Sequence, residues 1–199
     1  ATHAGSFDLS YLCCLPNFIV MAPSNGEELK NMIKLAQSIN NKPSAIRYPR
    51  DFAYEYNNNN NFQKILIGKG KILKKGKKIA FLNLGTRLKK VLEINEMIKN
   101  HHKLNCTVVD MRFAKPIDAK LIQNLNKTHD IFITIEENAI GGFSSQVNDL
   151  LINKLNKTPK ILNFFMKDEF IDQSDIDDQY NKSGISKELI FDKISALLK

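Results

Sequence analysis

The run Ile79-Ala80-Phe81-Leu82-Asn83-Leu84, followed by apolar residues at Leu88, Val91, Leu92 and Ile98 and then by Thr107-Val108-Val109-Asp110-Met111, decides the fold of this 199-residue chain. A nearly continuous apolar run is the mark of a strand buried on both faces, and apolar residues three and four apart place one stripe along a helix. Strand, helix and strand in that order make a crossover unit, which within one sheet runs parallel. The pattern repeats further on. Ile131 to Ile135 is a strand; Val147, Leu150, Leu151 and Leu155 line a helix; Ile161 to Phe165 is a strand; Ile190, Ile194, Leu197 and Leu198 close with an amphipathic helix. Residues 65–199 therefore read as an α/β domain with a mostly parallel five-stranded sheet covered on both faces.

Upstream of that stretch, Lys74-Lys75-Gly76-Lys77 separates two short strands between Ile65 and Leu84. It is expected to be a hairpin turn whose lysines guard a sheet edge. A nucleic-acid reading of the same lysines lacks interleaved aromatics. Gly68-Lys69-Gly70 has no helix after it, so it is no dinucleotide fingerprint. Asn57 to Asn61 is a polar homopolymer in a linker that spans residues 52–64. Residues 1–51 hold a second crossover. Phe18-Ile19-Val20-Met21 is a strand, Ser24-Asn25-Gly26-Glu27 has capping-box spacing, and Leu29, Met32, Ile33, Ala36 and Ile39 form a helical stripe leading to the strand Ser44-Ala45-Ile46-Arg47-Tyr48.

Two segments of this first unit carry candidate chemistry. His3 stands in the loop Thr2-His3-Ala4-Gly5-Ser6, and histidine can pass a proton or donate a hydrogen bond near neutral pH. Arg47 and Arg50 flank Tyr48-Pro49 at a strand end, the end of a parallel sheet at which ligands collect, and their planar forks match phosphate oxygens. A histidine in a glycine loop is also an ordinary surface residue, and two arginines in one turn are also an ion-paired face. Neither segment is specific alone.

Taken together they resemble a known family. Thr2-His3-Ala4-Gly5-Ser6-Phe7-Asp8-Leu9-Ser10-Tyr11-Leu12, Met21-Ala22-Pro23-Ser24 and Pro43-Ser44-Ala45-Ile46-Arg47-Tyr48-Pro49-Arg50 resemble the end of the pyrimidine-binding domain of the transketolase-like 1-deoxy-D-xylulose-5-phosphate synthase family. The likeness continues through Val109-Asp110-Met111-Arg112-Phe113-Ala114-Lys115-Pro116-Ile117-Asp118 and Glu136-Glu137-Asn138-Ala139-Ile140-Gly141-Gly142 to Ser183-Gly184-Ile185. It implies a transketolase C-terminal-like domain over residues 65–199. It also implies a thiamine-diphosphate- and magnesium-dependent enzyme that joins pyruvate to glyceraldehyde 3-phosphate with loss of carbon dioxide, in the non-mevalonate isoprenoid pathway. His3 would face the cofactor-bound intermediate, Arg50 would hold the substrate phosphate, and Arg47 would share that charge. The cofactor and metal residues would lie upstream. With no initiator Met and no strand before the His3 loop, the chain reads as part of a longer homodimeric enzyme, inactive without its N-terminal portion. The beta subunit of a 2-oxo-acid dehydrogenase complex and a non-catalytic dimerisation module stay open as alternatives. Asp51 departs from the family's usual glycine, and a carboxylate there would compete for Arg50.

Composition excludes other classes. The hydrophobic fraction of 43% suffices for a core, and no apolar run approaches the roughly 18 residues of a membrane span. The formal charge of +8 is spread over scattered lysines and identifies no partner. Three cysteines, Cys13, Cys14 and Cys106, give neither a disulfide framework nor metal-ligand spacing. His101 and His102 sit near a helix end among lysines. Asp168, Glu169, Asp172, Asp175, Asp177 and Asp178 lack the glycine and glutamate of a calcium loop and read as a solvated connection. The turn from Glu136 to Gly142 could receive an anion on backbone amides or be a plain glycine turn. The asparagine run and abundant lysine suggest an AT-rich source and an apicoplast-type plastid, with a bacterial cytoplasm as the alternative.

Overall fold

The computed structural model describes residues 5–52 and 64–198. His3, the Asn57 to Asn61 run and most of the linker lie outside the described residues.

The chain opens with helix α1 (Asp8–Cys14), then strand β1 (Ile19–Met21), helix α2 (Gly26–Gln37) and strand β2 (Ser44–Ile46). β1 and β2 pair in parallel, Val20 opposite Ala45, as the crossover pattern requires. Asn25, rather than Ser24, caps α2, its side-chain oxygen accepting from the Glu28 N–H at 2.9 Å. Ser24 turns inward and donates to Asp110 Oδ2 at 2.6 Å. The expected α2 stripe holds at Met32 and fails at Ile33, which is exposed. The buried face of α2 runs instead through Glu28, Asn31 and Met32.

After the linker come β3 (Lys71–Lys74), β4 (Lys78–Asn83), a 3-10 turn at Gly85–Arg87, α3 (Leu88–His102), β5 (Thr107–Asp110), β6 (Phe113–Lys115) and α4 (Ala119–Asn126). β7 (His129–Ile135), α5 (Phe143–Asn148, ending in a π turn, Asp149–Asn153), β8 (Lys160–Phe164), α6 (Ile176–Ser183) and α7 (Lys187–Leu198) complete the chain. The main sheet has five strands in the order β3-β5-β4-β7-β8, parallel throughout except for β3. The mostly parallel five-stranded sheet is as the sequence implied.

The hairpin is not. β3 and β4 do not pair, because β5 lies between them and β3 runs antiparallel to β5. The reason lies at Gly76. Its N–H donates to Thr107 Oγ1 at 3.0 Å and Lys77 N–H donates to Asn105 O at 2.8 Å, so the lysine turn steps across the start of β5. A Cβ on Gly76 would stand 2.1 Å from the Asn105 carbonyl oxygen, a backbone atom that cannot swing away. Gly76→Ala is therefore expected to destabilise the chain by about 1–3 kcal/mol, read as a lower denaturant midpoint at unchanged slope. An unchanged midpoint would show that the two segments are not held in contact.

Alternation along the strands sorts the core into two faces. Ala80, Leu82, Val109 and Phe132 lie in one cluster with Phe143, Val147 and Leu151, whereas Ile79, Phe81, Val108 and Ile133 lie in the other with Val91, Ile94, Ile190 and Ile194 of α3 and α7. Leu9, Cys13, Val20 and Ala22 from the first segment belong to the first cluster. The N-terminal segment therefore completes a core with the C-terminal domain. Strand β6 seals the join by pairing antiparallel with β1, Met21 opposite Phe113, so β1 sits between β2 and β6 in a second sheet.

Helices α1, α4 and α6 were not read from the sequence. The acidic run in particular is more than a solvated connection, since Asp177 and Asp178 occupy the first turn of α6, where carboxylates suit the helix dipole. Gly184 ends α6 at φ +80°. His102 Nε2 meets Ser195 Oγ of α7 at 3.0 Å, which gives that histidine a packing role. The cysteines are free, and burial pushes the thiols of Cys13 and Cys106 up to about 12, so neither is a ready nucleophile.

Candidate functional site

Arg47 is the first residue beyond β2, and its backbone N–H still donates to Met21 O at 2.8 Å, so the sheet fixes the root of its side chain. Nη1 donates to Glu137 Oε2 at 2.9 Å, Nη2 to the Glu137 carbonyl oxygen at 2.8 Å, and Nε lies 3.4 Å from Asp8 Oδ2. The sequence reading gives Arg47 a share of a substrate's charge. In the structure its guanidinium faces two carboxylates of the chain.

Glu137 leaves the C-terminal end of β7 and is buried. Besides Arg47 it accepts from Thr86 Oγ1 at 2.9 Å and from the Tyr180 hydroxyl of α6. The Arg87 guanidinium stands 3.7 Å over the Tyr180 ring and its Nη2 donates to Ile185 O at 2.8 Å, so Gly184 and Ile185 serve to close this network. Burial alone would raise the Glu137 carboxyl. The charge of Arg47, the Tyr180 hydroxyl, Arg87 and Thr86 outweigh it and hold the group below the ordinary carboxylate range. Asp8 goes the other way, raised by burial against the pull of Arg47.

The two neighbours of Glu137 hold other elements. The Glu136 carboxylate accepts from Phe143 N at 2.8 Å and Ser144 N at 2.7 Å, so the anion at the start of α5 is a side chain of the protein itself. Burial raises its carboxyl against those hydrogen bonds. Gly142 permits the approach, since a Cβ there would lie 2.5 Å from Glu136 Oε2 and 2.6 Å from Asn138 Nδ2. Asn138 is fully buried and acts as a remote cap for α1, whose own preceding residue, Phe7, offers no side-chain acceptor. Its Oδ1 accepts from Leu9 N–H at 3.1 Å and its Nδ2 donates to Ser10 Oγ at 2.7 Å. Ala139 N–H adds a bond to Ser6 O at 2.7 Å. The segment that follows the His3 loop is thus fastened to the same turn that holds Arg47.

Arg50 is exposed and has no ion pair among the described residues. No ion pair joins it to Asp51 among the described residues, and Asp51 Oδ1 accepts from the Phe52 N–H at 2.7 Å. Of the candidate residues, the structure places Arg47 and Arg50 in one turn at the C-terminal end of β2, with His3 outside the described residues. Among the described residues no cluster of His, Cys, Asp and Glu is placed to hold a metal ion, and Glu136 and Glu137 spend their oxygens on protein donors. These residues do not fit a magnesium-diphosphate site. Nor is any described helix long and apolar enough to cross a membrane. What sequence reasoning missed is the holding role of Glu137, Asn138, Tyr180 and Asp8. Its one signal was Glu136-Glu137-Asn138 leaving a parallel strand at its ligand-binding end.

Residues 68–190 match the family described as transketolase, C-terminal domain, and residues 1–54 match that described as transketolase, pyrimidine binding domain. A curated relative in Psychromonas ingrahamii, named 1-deoxy-D-xylulose-5-phosphate synthase, is 42% identical over 195 residues, covering 95% of this chain and 30% of its own length. A protein of the same name in Blochmanniella floridana is 41% identical over 204 residues, covering 100% of this chain and 32% of its own length. The chain therefore spans about a third of the length of these relatives. Among solved structures, one described as a split gene transketolase, inactive beta4 tetramer, matches with a TM-score of 0.82 at 26% identity, over 96% of this chain and 61% of its own. The Campylobacter jejuni transketolase matches with a TM-score of 0.72 at 21% identity, over 98% of this chain and 28% of its own, a likeness of fold. Matched over more than half its length, the chain belongs to the transketolase family, whose C-terminal domain it carries after residues that match the pyrimidine-binding domain.

Proposed function

We propose that this chain is the C-terminal part of a 1-deoxy-D-xylulose-5-phosphate synthase, which condenses pyruvate with glyceraldehyde 3-phosphate and releases carbon dioxide. One observation carries the reading: identity of 42% to relatives of that name runs through both the pyrimidine-binding end and the C-terminal domain. The site geometry supports it. Two carboxylates neutralise Arg47 and leave Arg50 exposed as the cation at the strand end, suited to a substrate phosphate. His3, five residues before α1 in the sequence, would donate a proton or hydrogen bond to the substrate oxygen. Carbanion chemistry would belong to thiamine diphosphate and magnesium, bound on residues outside this chain. The same proposal includes a homodimer and a plastid setting.

A second reading is favoured by the split-gene neighbour, which is described as an inactive beta4 tetramer: the isolated chain is an association module that becomes catalytic only with a partner polypeptide. Both readings meet in one experiment. Carbon dioxide release from pyruvate is measured with glyceraldehyde 3-phosphate, thiamine diphosphate and magnesium, first with this chain alone and then with the upstream portion added. The expected result is no release alone and release on mixing. Release by the chain alone would overturn the assignment of the cofactor site to the upstream portion. Silence of a mixture shown to be folded and associated would overturn the synthase reading.

A further inference from the structure

We infer that Glu137 of the C-terminal domain is a positioning residue for acceptor-substrate affinity: through Arg47 it fixes where Arg50 stands. The inference rests on the phosphate role proposed for Arg50.

The turn Arg47-Tyr48-Pro49-Arg50 leaves the sheet at Ile46, and Tyr48 and Arg50 are exposed. Arg47 is its anchor. The backbone end is held by Met21 O, and the guanidinium end by Glu137, which supplies a carboxylate oxygen and its own carbonyl oxygen to two different nitrogens of the fork. Such a two-point, charge-assisted contact fixes orientation as well as distance. Glu137 is itself over-determined, because Thr86 of the 3-10 turn and Tyr180 of α6 donate to its other oxygen. Three separate parts of the chain thus converge on one buried carboxylate. Two residues of the sequence separate the anchored arginine from the exposed one, and Pro49 fixes one backbone dihedral between them. So short a tether limits how far Arg50 can stand from the Arg47 anchor.

The charge matters as well as the geometry. Asp8 and Glu137 together offset the Arg47 charge, so an arriving phosphate meets one available guanidinium in this turn, that of Arg50. Removing the Glu137 charge would loosen the anchor and free Arg47 to compete for the phosphate from the wrong position. Misplacement of a binding group by about 1 Å can cost roughly 100-fold.

The test uses the complete synthase carrying this chain, with its cofactor and magnesium. Glu137→Gln keeps the shape and removes the charge. It is expected to raise KM for glyceraldehyde 3-phosphate about tenfold, with KM for pyruvate and affinity for thiamine diphosphate unchanged. With D-glyceraldehyde, which lacks the phosphate, kcat/KM is expected to equal that of the parent enzyme. A merely structural role would depress both acceptors alike, and that outcome overturns the inference, as does an unchanged KM for glyceraldehyde 3-phosphate. Tyr180→Phe removes one donor and keeps the carboxylate. It is expected to move KM in the same direction by a smaller factor, and it carries the test should Glu137→Gln fail to fold. Arg50→Ala, measured in parallel, separates the two levels of argument. If it raises KM for the phosphorylated acceptor and Glu137→Gln does not, the inference falls alone; if Arg50→Ala has no such effect, the phosphate reading falls with it.

Discussion

Arg50→Ala in the complete synthase is expected to raise KM for glyceraldehyde 3-phosphate roughly 100-fold and to leave KM for pyruvate within about twofold. An arginine fork on a phosphate makes two charge-assisted hydrogen bonds, each contributing about 1.5 kcal/mol or more, and about 1.4 kcal/mol is tenfold in affinity. The structure favours this residue over its neighbour on charge grounds. Arg47 already answers Glu137 and Asp8, whereas Arg50 is exposed and unpaired among the described residues. Arg47→Ala should behave differently, lowering stability as well as affinity, because it leaves the buried Glu137 carboxylate without its main counter-charge. Steady-state kinetics with each substrate varied in turn, beside a thermal unfolding scan, checks both. Equal effects of Arg50→Ala on the two substrates would remove the phosphate from Arg50.

The architecture was legible where burial imposes a period. The runs at Ile79 to Leu84 and Ile131 to Ile135 are buried on both faces, and the crossover stripes of α2 and α3 follow from helical spacing. Pairing order was not legible, because strands adjacent in sequence pair only when the turn between them permits it. Lys74-Lys75-Gly76-Lys77 looks like a hairpin turn by composition, and only contact with Asn105 and Thr107 reveals that β5 intervenes. Short helices were missed for a related reason. Helix α1 has no capping side chain of its own, its cap being Asn138, 129 residues away. The candidate site shows the same division. Arginine at a strand end is a local signal, and it was read. Which arginine faces substrate depends on where Glu137 and Asp8 arrive, and that is a property of the packed chain.

The join between the two segments predicts a pH-dependent stability that Asp110→Asn should expose. At pH 8 the variant is expected to be more stable than the parent chain by about 2–4 kcal/mol, and at pH 4 to be equal to it. Asp110 is buried at the end of β5, where Oδ2 accepts the Ser24 hydroxyl at 2.6 Å and Oδ1 accepts Arg112 N–H at 3.2 Å. Burial drives its carboxyl up to about 7. The Ser24 bond opposes that, the charge of Glu28 adds to it, and Arg112, paired to Glu28, opposes it again. Between about pH 4 and 7 the unfolded chain has released this proton and the folded chain still holds it. Stability from this group is therefore full below pH 4, falls as pH rises to 7, and is flat above. A rise of about three pH units at roughly 1.4 kcal/mol each sets the ceiling near 4 kcal/mol. Asparagine keeps both contacts, its oxygen accepting from Arg112 N–H and its amide donating to Ser24 Oγ, and it has no charge to bury. Urea unfolding of both proteins from pH 4 to pH 8 should show the difference opening and then levelling. A difference constant with pH would assign the effect to packing and refute the buried-charge account. The cost falls at the contact between Ser24 of the pyrimidine-binding end and Asp110 of the C-terminal domain, and Glu28 and Arg112 repeat that contact with opposite charges. Polar groups that must be matched across a join restrict how two segments can dock, which apolar contacts alone do weakly; the stability given up at Asp110 is then the counterpart of a single docking geometry, the one that brings Glu137 to Arg47.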